Sequence, residues 1–210
     1  MSRYKEIIWD FDGVILLSDA VREYGFRKVF ENHSNELVQK LIDYHLQNGG
    51  LSRYVKIKYF YENVLGEPIT EEQINKHAEE FSVIMREALT DRKLINKEWV
   101  SLMEEIGNKF VHSIASGSDG KELNYLCGEL GISDNFKFIY GSPITKKELV
   151  RQIITDSDFE PSEFILIGDA INDRDAAQAN NISFIGYHND SLKDSELYVD
   201  DLRDVLKILY

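Results

Sequence analysis

The chain has 210 residues, is 43% hydrophobic and carries a formal net charge of -13. That length suits one large domain, or a core with a smaller insertion, and the apolar share is enough for a sizeable core. The acidic balance disfavours nucleic acid and anionic membrane as partners but allows an anionic small substrate if a cation reverses the local field.

In chain order, Ile7-Ile8-Trp9 reads as the first strand. It runs into Asp10-Phe11-Asp12-Gly13-Val14, two carboxylates followed by a glycine that can turn. From about Ser18 to Lys93 the pattern is helical and no strand stands out. Val21, Tyr24, Val29 and Phe30 share one stripe, and Leu37, Leu41, Ile42 and Leu46 another. Gly49-Gly50 breaks the chain, and a helix from about Ser52 to Val64 follows. Thr70-Glu71-Glu72-Gln73 has the capping-box form and opens a helix that reaches about Leu89. A helix containing Trp99, Leu102, Met103 and Ile106 leads to a strand at Phe110 to Ala115.

Beyond it, helices alternate with short apolar runs. Lys121 to Leu130 is helical and carries the only cysteine, Cys127, at an apolar position where burial is expected. Phe138 to Tyr140, Phe164 to Ile167 and Ser183 to Ile185 read as strands buried on both faces of a parallel sheet. One helix opens at Thr145, where Glu148 completes a capping box. Another follows Asp173, and a last one covers about Leu202 to Leu209. The alternation predicts an α/β, doubly wound parallel sheet. Residues 1–17 and 94–210 would form its core and 18–93 an inserted α-helical lid. No apolar run approaches the ~20 residues of a membrane span and no signal-peptide core is visible, so no membrane partner and a cytoplasmic location are expected.

Four motifs fall at predicted strand ends, where open α/β sheets place ligands: Asp10-x-Asp12, Ile114-Ala115-Ser116-Gly117, a lysine at 146 or 147, and Gly168-Asp169-Ala170-Ile171-Asn172-Asp173. On a phosphate ester each residue type has a job. Asp10 suits a carboxylate nucleophile, and Asp12 a general acid/base for the leaving oxygen and then for water. Ser116, Gly117 and the lysine can hold phosphoryl oxygens and offset spreading negative charge. Mg²⁺ would remove the repulsion between carboxylate and phosphate. Asp10, Asp169 and the backbone carbonyl of Asp12 can supply ligands, while Asp173 can hold a metal-bound water or orient the lysine. Asp169 and Asp173 also suit the start of a helix, where the macrodipole favours acids.

Taken together and in this order, the four motifs resemble those of the haloacid dehalogenase superfamily, and the likeness spans the chain. The resemblance implies a Rossmann-like core, an α-helical cap at the inserted block, Mg²⁺ and an aspartyl-phosphate intermediate. The family's lysine precedes an acidic helix position by two residues, which favours Lys146 over Lys147. Dehalogenases lack an acid at the position of Asp12, because a halide leaves without a proton, so Asp12 points to the phosphatase branch. The expected activity is Mg²⁺-dependent hydrolysis of a small phosphorylated substrate. The alternatives are a phosphoglucomutase-like sugar-phosphate mutase and a non-catalytic binding protein on the same scaffold. The chain departs from many capped relatives at Leu17-Ser18-Asp19, where they carry Asp-Ser or Asp-Thr. In the cap, Arg22, Arg53 and Lys56 are candidates for reading an anionic substrate tail. Tyr54, Tyr59, Phe60 and Tyr61 are expected to pack between helices, and His112 to be structural.

Overall fold

A computed structural model describes residues 2–210. Its sheet contains β1 (Glu6–Trp9), β2 (Val111–Asp119), β3 (Phe138–Ser142), β4 (Phe164–Gly168), β5 (Ser183–Tyr187) and β6 (Tyr198–Val199). All pairings are parallel, in the order β3-β2-β1-β4-β5-β6. This is the doubly wound order of Rossmann-like sheets. Strand β1 shows why its residues are apolar without alternation. Ile7 and Trp9 pack on one face with Trp99, Leu102 and Ile106, while Ile8 packs on the other with Leu149, Val150 and Ile153. Both faces are covered, so every position needs an apolar side chain.

The covering helices of the sheet are α5 (Lys97–Ile106), α6 (Gly120–Glu129), α7 (Lys146–Asp156), α8 (Ile171–Ala179) and α9 (Val205–Leu209). Between β1 and β2 the chain makes a helical block of α1 (Asp19–Val29), α2 (Asn35–Gln47), α3 (Arg53–Tyr59) and α4 (Glu71–Ala88). The outgoing and returning segments lie side by side. Leu16 bridges Ile95, the Leu17 N–H donates to the Leu94 carbonyl at 2.8 Å, and the Asn96 N–H donates to the Ile15 carbonyl at 2.9 Å. Inside the block, aromatic packing dominates. Phe26 meets Phe81 and Phe30 meets Phe60, each pair with ring centroids 4.5 Å apart, and Tyr44 stacks on Tyr59. Both expected capping boxes form, at Thr70 with Gln73 and at Thr145 with Glu148.

The structure corrects several element boundaries. The helix expected from Ser52 to Val64 divides into α3 and a π-helical turn, Phe60–Leu65, which ends at Gly66 with φ +71°. The wider turn lets consecutive Phe60 and Tyr61 both face Phe30. Strand β2 does not stop at Ala115. It continues through Ser116 and Gly117 to Asp119, with a register shift between Ser116 and Asp119. The last expected helix is a 3-10 turn, Leu202–Asp204, followed by α9. Helix α8 starts at Ile171, so Asp173 lies in its first turn rather than before it. Strand β6 has two residues, too few for any periodicity. Cys127 is fully buried, and burial pushes its thiol pKa up to about 12. His112 is also buried and accepts a hydrogen bond from Trp9 Nε1 at 3.1 Å. Among the described residues no helix is long and apolar enough to cross a membrane.

Candidate active site

Strand order reverses between β1 and β4, and open α/β sheets hold ligands beyond the carboxyl ends of such a pair. Asp10 directly follows β1 and Asp169 directly follows β4. A cavity of about 760 Å³ lies here, with Asp10, Asp169 and Gly117 on the sheet side and Arg22, Arg53 and Lys56 on the side of the helical block.

Three carboxylates converge. One oxygen each from Asp10, Asp169 and Asp173 lies within 4.8 Å of the others. Two glycines permit this. A Cβ on Gly13, whose φ is +78°, would stand 1.9 Å from Asp169 Oδ2, and one on Gly168 would stand 2.4 Å from Asp173 Cγ. Of the two lysines, Lys146 is the one that meets the carboxylates. The Thr145 cap starts α7 there and turns the buried Lys146 Nζ to 2.8 Å from Asp10 Oδ1, where it also donates to Asp173. Lys147 is exposed. Asp173 accepts the Ala170 N–H at 2.9 Å through its second oxygen, so it holds both the lysine and the turn after β4.

One ammonium among three carboxylates leaves the cluster short of positive charge. Burial and then Asp173 raise the Asp10 pKa to about 7, against the opposing pull of Lys146. Burial, then Asp10 and Asp173, raise Asp169 well above the usual carboxylate range. Burial works against the Lys146 charge, but Asp10 and Asp173 outweigh it and hold its pKa above the ordinary lysine value. A set of carboxylate oxygens this close fits a hard divalent cation such as Mg²⁺, with Asp10, Asp169 and Asp173 as the facing groups. The Asp12 side chain stands outside this cluster.

Asp12 is instead enclosed by donors. Ser18 Oγ and Arg22 Nε donate to its Oδ1 and Ser118 Oγ to its Oδ2, each at 2.5 Å. Burial alone would raise its pKa, but Arg22, then Ser118 and Ser18, outweigh burial and lower it. Ser18 heads α1 yet makes no helix-capping hydrogen bond, because its hydroxyl serves Asp12. Arg22 reaches on to Glu122 Oε1 at 3.3 Å. Glu122, fully buried on α6, is gripped by Arg53 through contacts of 2.6 and 2.7 Å. Two of the three cap cations expected to face substrate are therefore already paired with protein carboxylates. Ser116 is fully buried and its Oγ accepts the Ser118 N–H at 3.0 Å, while Gly117 and Ser118 line the cavity. Ser118 lies within the register shift of β2, between Ser116 and Asp119, and faces Asp12 there. Ser118 and Glu122 were not legible as site residues: a serine just past a motif and an acid on an amphipathic helix are ordinary there. The Gly49-Gly50 break has a place too. The Gly50 carbonyl accepts from Asn172 Nδ2 at 2.8 Å and lies where a Cβ on Gly117 would sit, 2.4 Å away.

A parallel sheet with an inserted helical block, and acids gathered at its switch point, define a capped Rossmann-like α/β architecture. The chain belongs to the haloacid dehalogenase-like hydrolase family, whose model matches residues 7–187. Among solved structures it is similar to a β-phosphoglucomutase from Clostridium difficile, with 23% identity, a TM-score of 0.77, and 96% of this chain and 93% of that one covered. It is also similar to a predicted phosphoglycolate phosphatase from Haemophilus somnus, with 15% identity, a TM-score of 0.78 and all of both chains covered. A HAD hydrolase from Bacillus subtilis, solved with bound magnesium, shares 16% identity at a TM-score of 0.74 over 99% of each chain. At these identities the likeness is one of fold. No curated protein matches the chain.

Proposed function

We propose that this protein is a Mg²⁺-dependent phosphomonoester hydrolase acting on a small phosphorylated metabolite. In this reading residues 1–17 and 94–210 form the catalytic core, and residues 18–93 form a cap over the substrate. The observation that carries the reading is the meeting of Lys146, Asp169 and Asp173 on Asp10, with a second carboxylate, Asp12, separately held two residues away. Dehalogenation has no use for that second acid.

Asp10 is the nucleophile. Its carboxylate oxygen attacks phosphorus, the ester P–O bond breaks, and Asp12 gives its proton to the departing oxygen. Asp12 then takes a proton from water, the water oxygen attacks the aspartyl-phosphate, and inorganic phosphate leaves as the Asp10 carboxylate is restored. Ser116, the Gly117 N–H and Lys146 hold the phosphoryl oxygens through both steps. Asp10, Asp169 and the Asp12 carbonyl would hold a Mg²⁺, with Asp173 behind them, and the ion would supply the positive charge that lets a dianion approach a carboxylate. Arg22, Ser18 and Ser118 favour the anionic form of Asp12, which is the form the second step needs. The first step needs the protonated form, which the second step restores when Asp12 takes the proton from water.

Purified protein with Mg²⁺ is expected to release phosphate from p-nitrophenyl phosphate or from members of a panel of sugar phosphates, phosphoglycolate, nucleotides and acyl phosphates. Asp10→Asn should abolish release while keeping the circular dichroism spectrum. Isomer formation without phosphate release would instead identify a mutase, and retained turnover in Asp10→Asn would remove Asp10 as nucleophile.

A further inference from the structure

Of the three Lys and Arg side chains in the cap wall of the cavity, two are taken up by protein acids: Arg22 by Asp12 and Glu122, and Arg53 by Glu122. Lys56, on α3, is different. Its side chain is 3% exposed, and its Nζ lies 2.8 Å from His45 Nδ1 and 3.2 Å from the Gly49 carbonyl. No carboxylate of the described residues comes within 4.0 Å of it. An ammonium has three donors, and these partners account for two. Donation to Nδ1 places the His45 proton on Nε2, and that buried atom has no partner.

The charges around Lys56 make it a cation in search of an anion. Burial, then Arg22, lower its pKa to about 7, with Asp12 and Asp19 pulling the other way. His45 cannot compensate, because burial, then Lys56 and Arg22, hold its pKa down at about 3 and keep the ring neutral. Asp19 also lines the cavity but forms no ion pair with Lys56, and burial followed by Asp12 raises its pKa. A buried amine without a counterion is costly as a charge, and an incoming anion removes that cost.

We propose that Lys56 is a specificity-determining residue that binds a second anionic group, a carboxylate or phosphate, at the end of the substrate away from the reacting phosphoryl group. The substrate class is then a phosphomonoester with an anionic tail. The phosphatase reading above sets which end faces Asp10; the cap-side anion site itself stands on the Lys56 environment.

Calorimetric binding to the Mg²⁺-loaded Asp10→Asn protein tests this without turnover. Three ligands share one scaffold: glucose 1-phosphate, glucose 1,6-bisphosphate and glucuronic acid 1-phosphate. At least one charged-tail ligand should bind about ten-fold tighter than glucose 1-phosphate, and which one does so distinguishes phosphate from carboxylate recognition. Adding Lys56→Met should bring the ratio to within about two-fold, while Lys56→Arg, which keeps a cation, should retain a preference. Each variant is checked for an unchanged circular dichroism spectrum, and Lys56→Gln substitutes if the Met variant does not fold. Equal binding of all three ligands, no binding of any, or an undiminished ratio in the neutral Lys56 variant overturns the proposal. If the wild type released no phosphate from any substrate, the phosphatase reading would fail while the binding ratio could still be read.

Discussion

Glu122→Gln tests whether the tie between cap and core is electrostatic. The Glu122 carboxylate is fully buried and meets Arg53 at 2.6 and 2.7 Å and Arg22 at 3.3 Å, so it is the shared counterion of two guanidinium groups. Arg53 has in addition Ser82 Oγ at 2.7 Å and the Phe81 ring, 4.6 Å from its centroid, but neither carries negative charge. Removing one partner of a buried pair costs about 3–5 kcal/mol, because the other charge stays buried. The Gln amide keeps the shape and one acceptor, which places the loss near the lower end, about 3 kcal/mol. For a chain of this size that corresponds to a fall in melting temperature of about 6–12 °C, read by scanning calorimetry. Glu122→Met should cost more, and adding Arg53→Met should recover part of the loss, because an apolar pair of similar volume replaces a stranded charge. A Glu122→Gln protein melting within about 2 °C of wild type would refute the reasoning, since the network would then contribute almost nothing.

Gly117→Ala places a Cβ 2.4 Å from the backbone oxygen of Gly50, so the cap loop has to lift. Turnover of p-nitrophenyl phosphate should fall about ten-fold or more, and wild-type activity would show that the loop contact is not needed. Asp169→Asn removes a carboxylate that burial, Asp10 and Asp173 make costly to ionise. Without metal the variant should melt at or above wild type, and it should lose the rise in melting temperature that Mg²⁺ gives the wild type. An equal rise in both proteins would exclude Asp169 as a ligand. Burial lowers the His112 pKa to about 4, so between its ordinary value of 6.5 and about 4 the unfolded chain binds the extra proton. The stability from this group is therefore complete above about pH 6.5 and is lost as pH falls through that window, by about 3 kcal/mol in all. His112→Asn should flatten that limb of a melting-temperature–pH curve, and an unchanged slope would remove His112 as its source.

The motif acids and Lys146 were legible because each sits where a regular pattern breaks. Asp10 and Asp169 directly follow runs of buried apolar residues, and Lys146 is the first helical residue inside a complete capping box. The alternation of strands and helices likewise gives the sheet, since buried parallel strands must be apolar on both faces. Ser118 was hidden because β2 keeps its pairing through a polar stretch, Ser116 to Asp119, where apolar periodicity has nothing to report. The pairing of Arg53 with Glu122 spans 69 residues and that of Arg22 with Glu122 spans 100, so no local pattern encodes either. An isolated arginine on a cap helix looks the same whether it waits for substrate or grips a core acid; only the facing surface decides.

That grip bears on how the cap and the chemistry are coupled. Arg22 lies on α1 of the helical block and Ser18 heads that helix, whereas Asp12, Ser118 and Glu122 belong to the sheet side. A movement that carried α1 away from the sheet would strip Asp12 of its cation and one of its hydroxyl donors, leaving Ser118 alone on the carboxylate. Burial raises the Asp12 pKa while Arg22, Ser118 and Ser18 lower it, and the same movement would open the cavity to water, so desolvation and counterion would fall away together. The environment of Asp12 is therefore tied to the position of the helical block through one side chain, because Arg22 holds Asp12 and Glu122 at once.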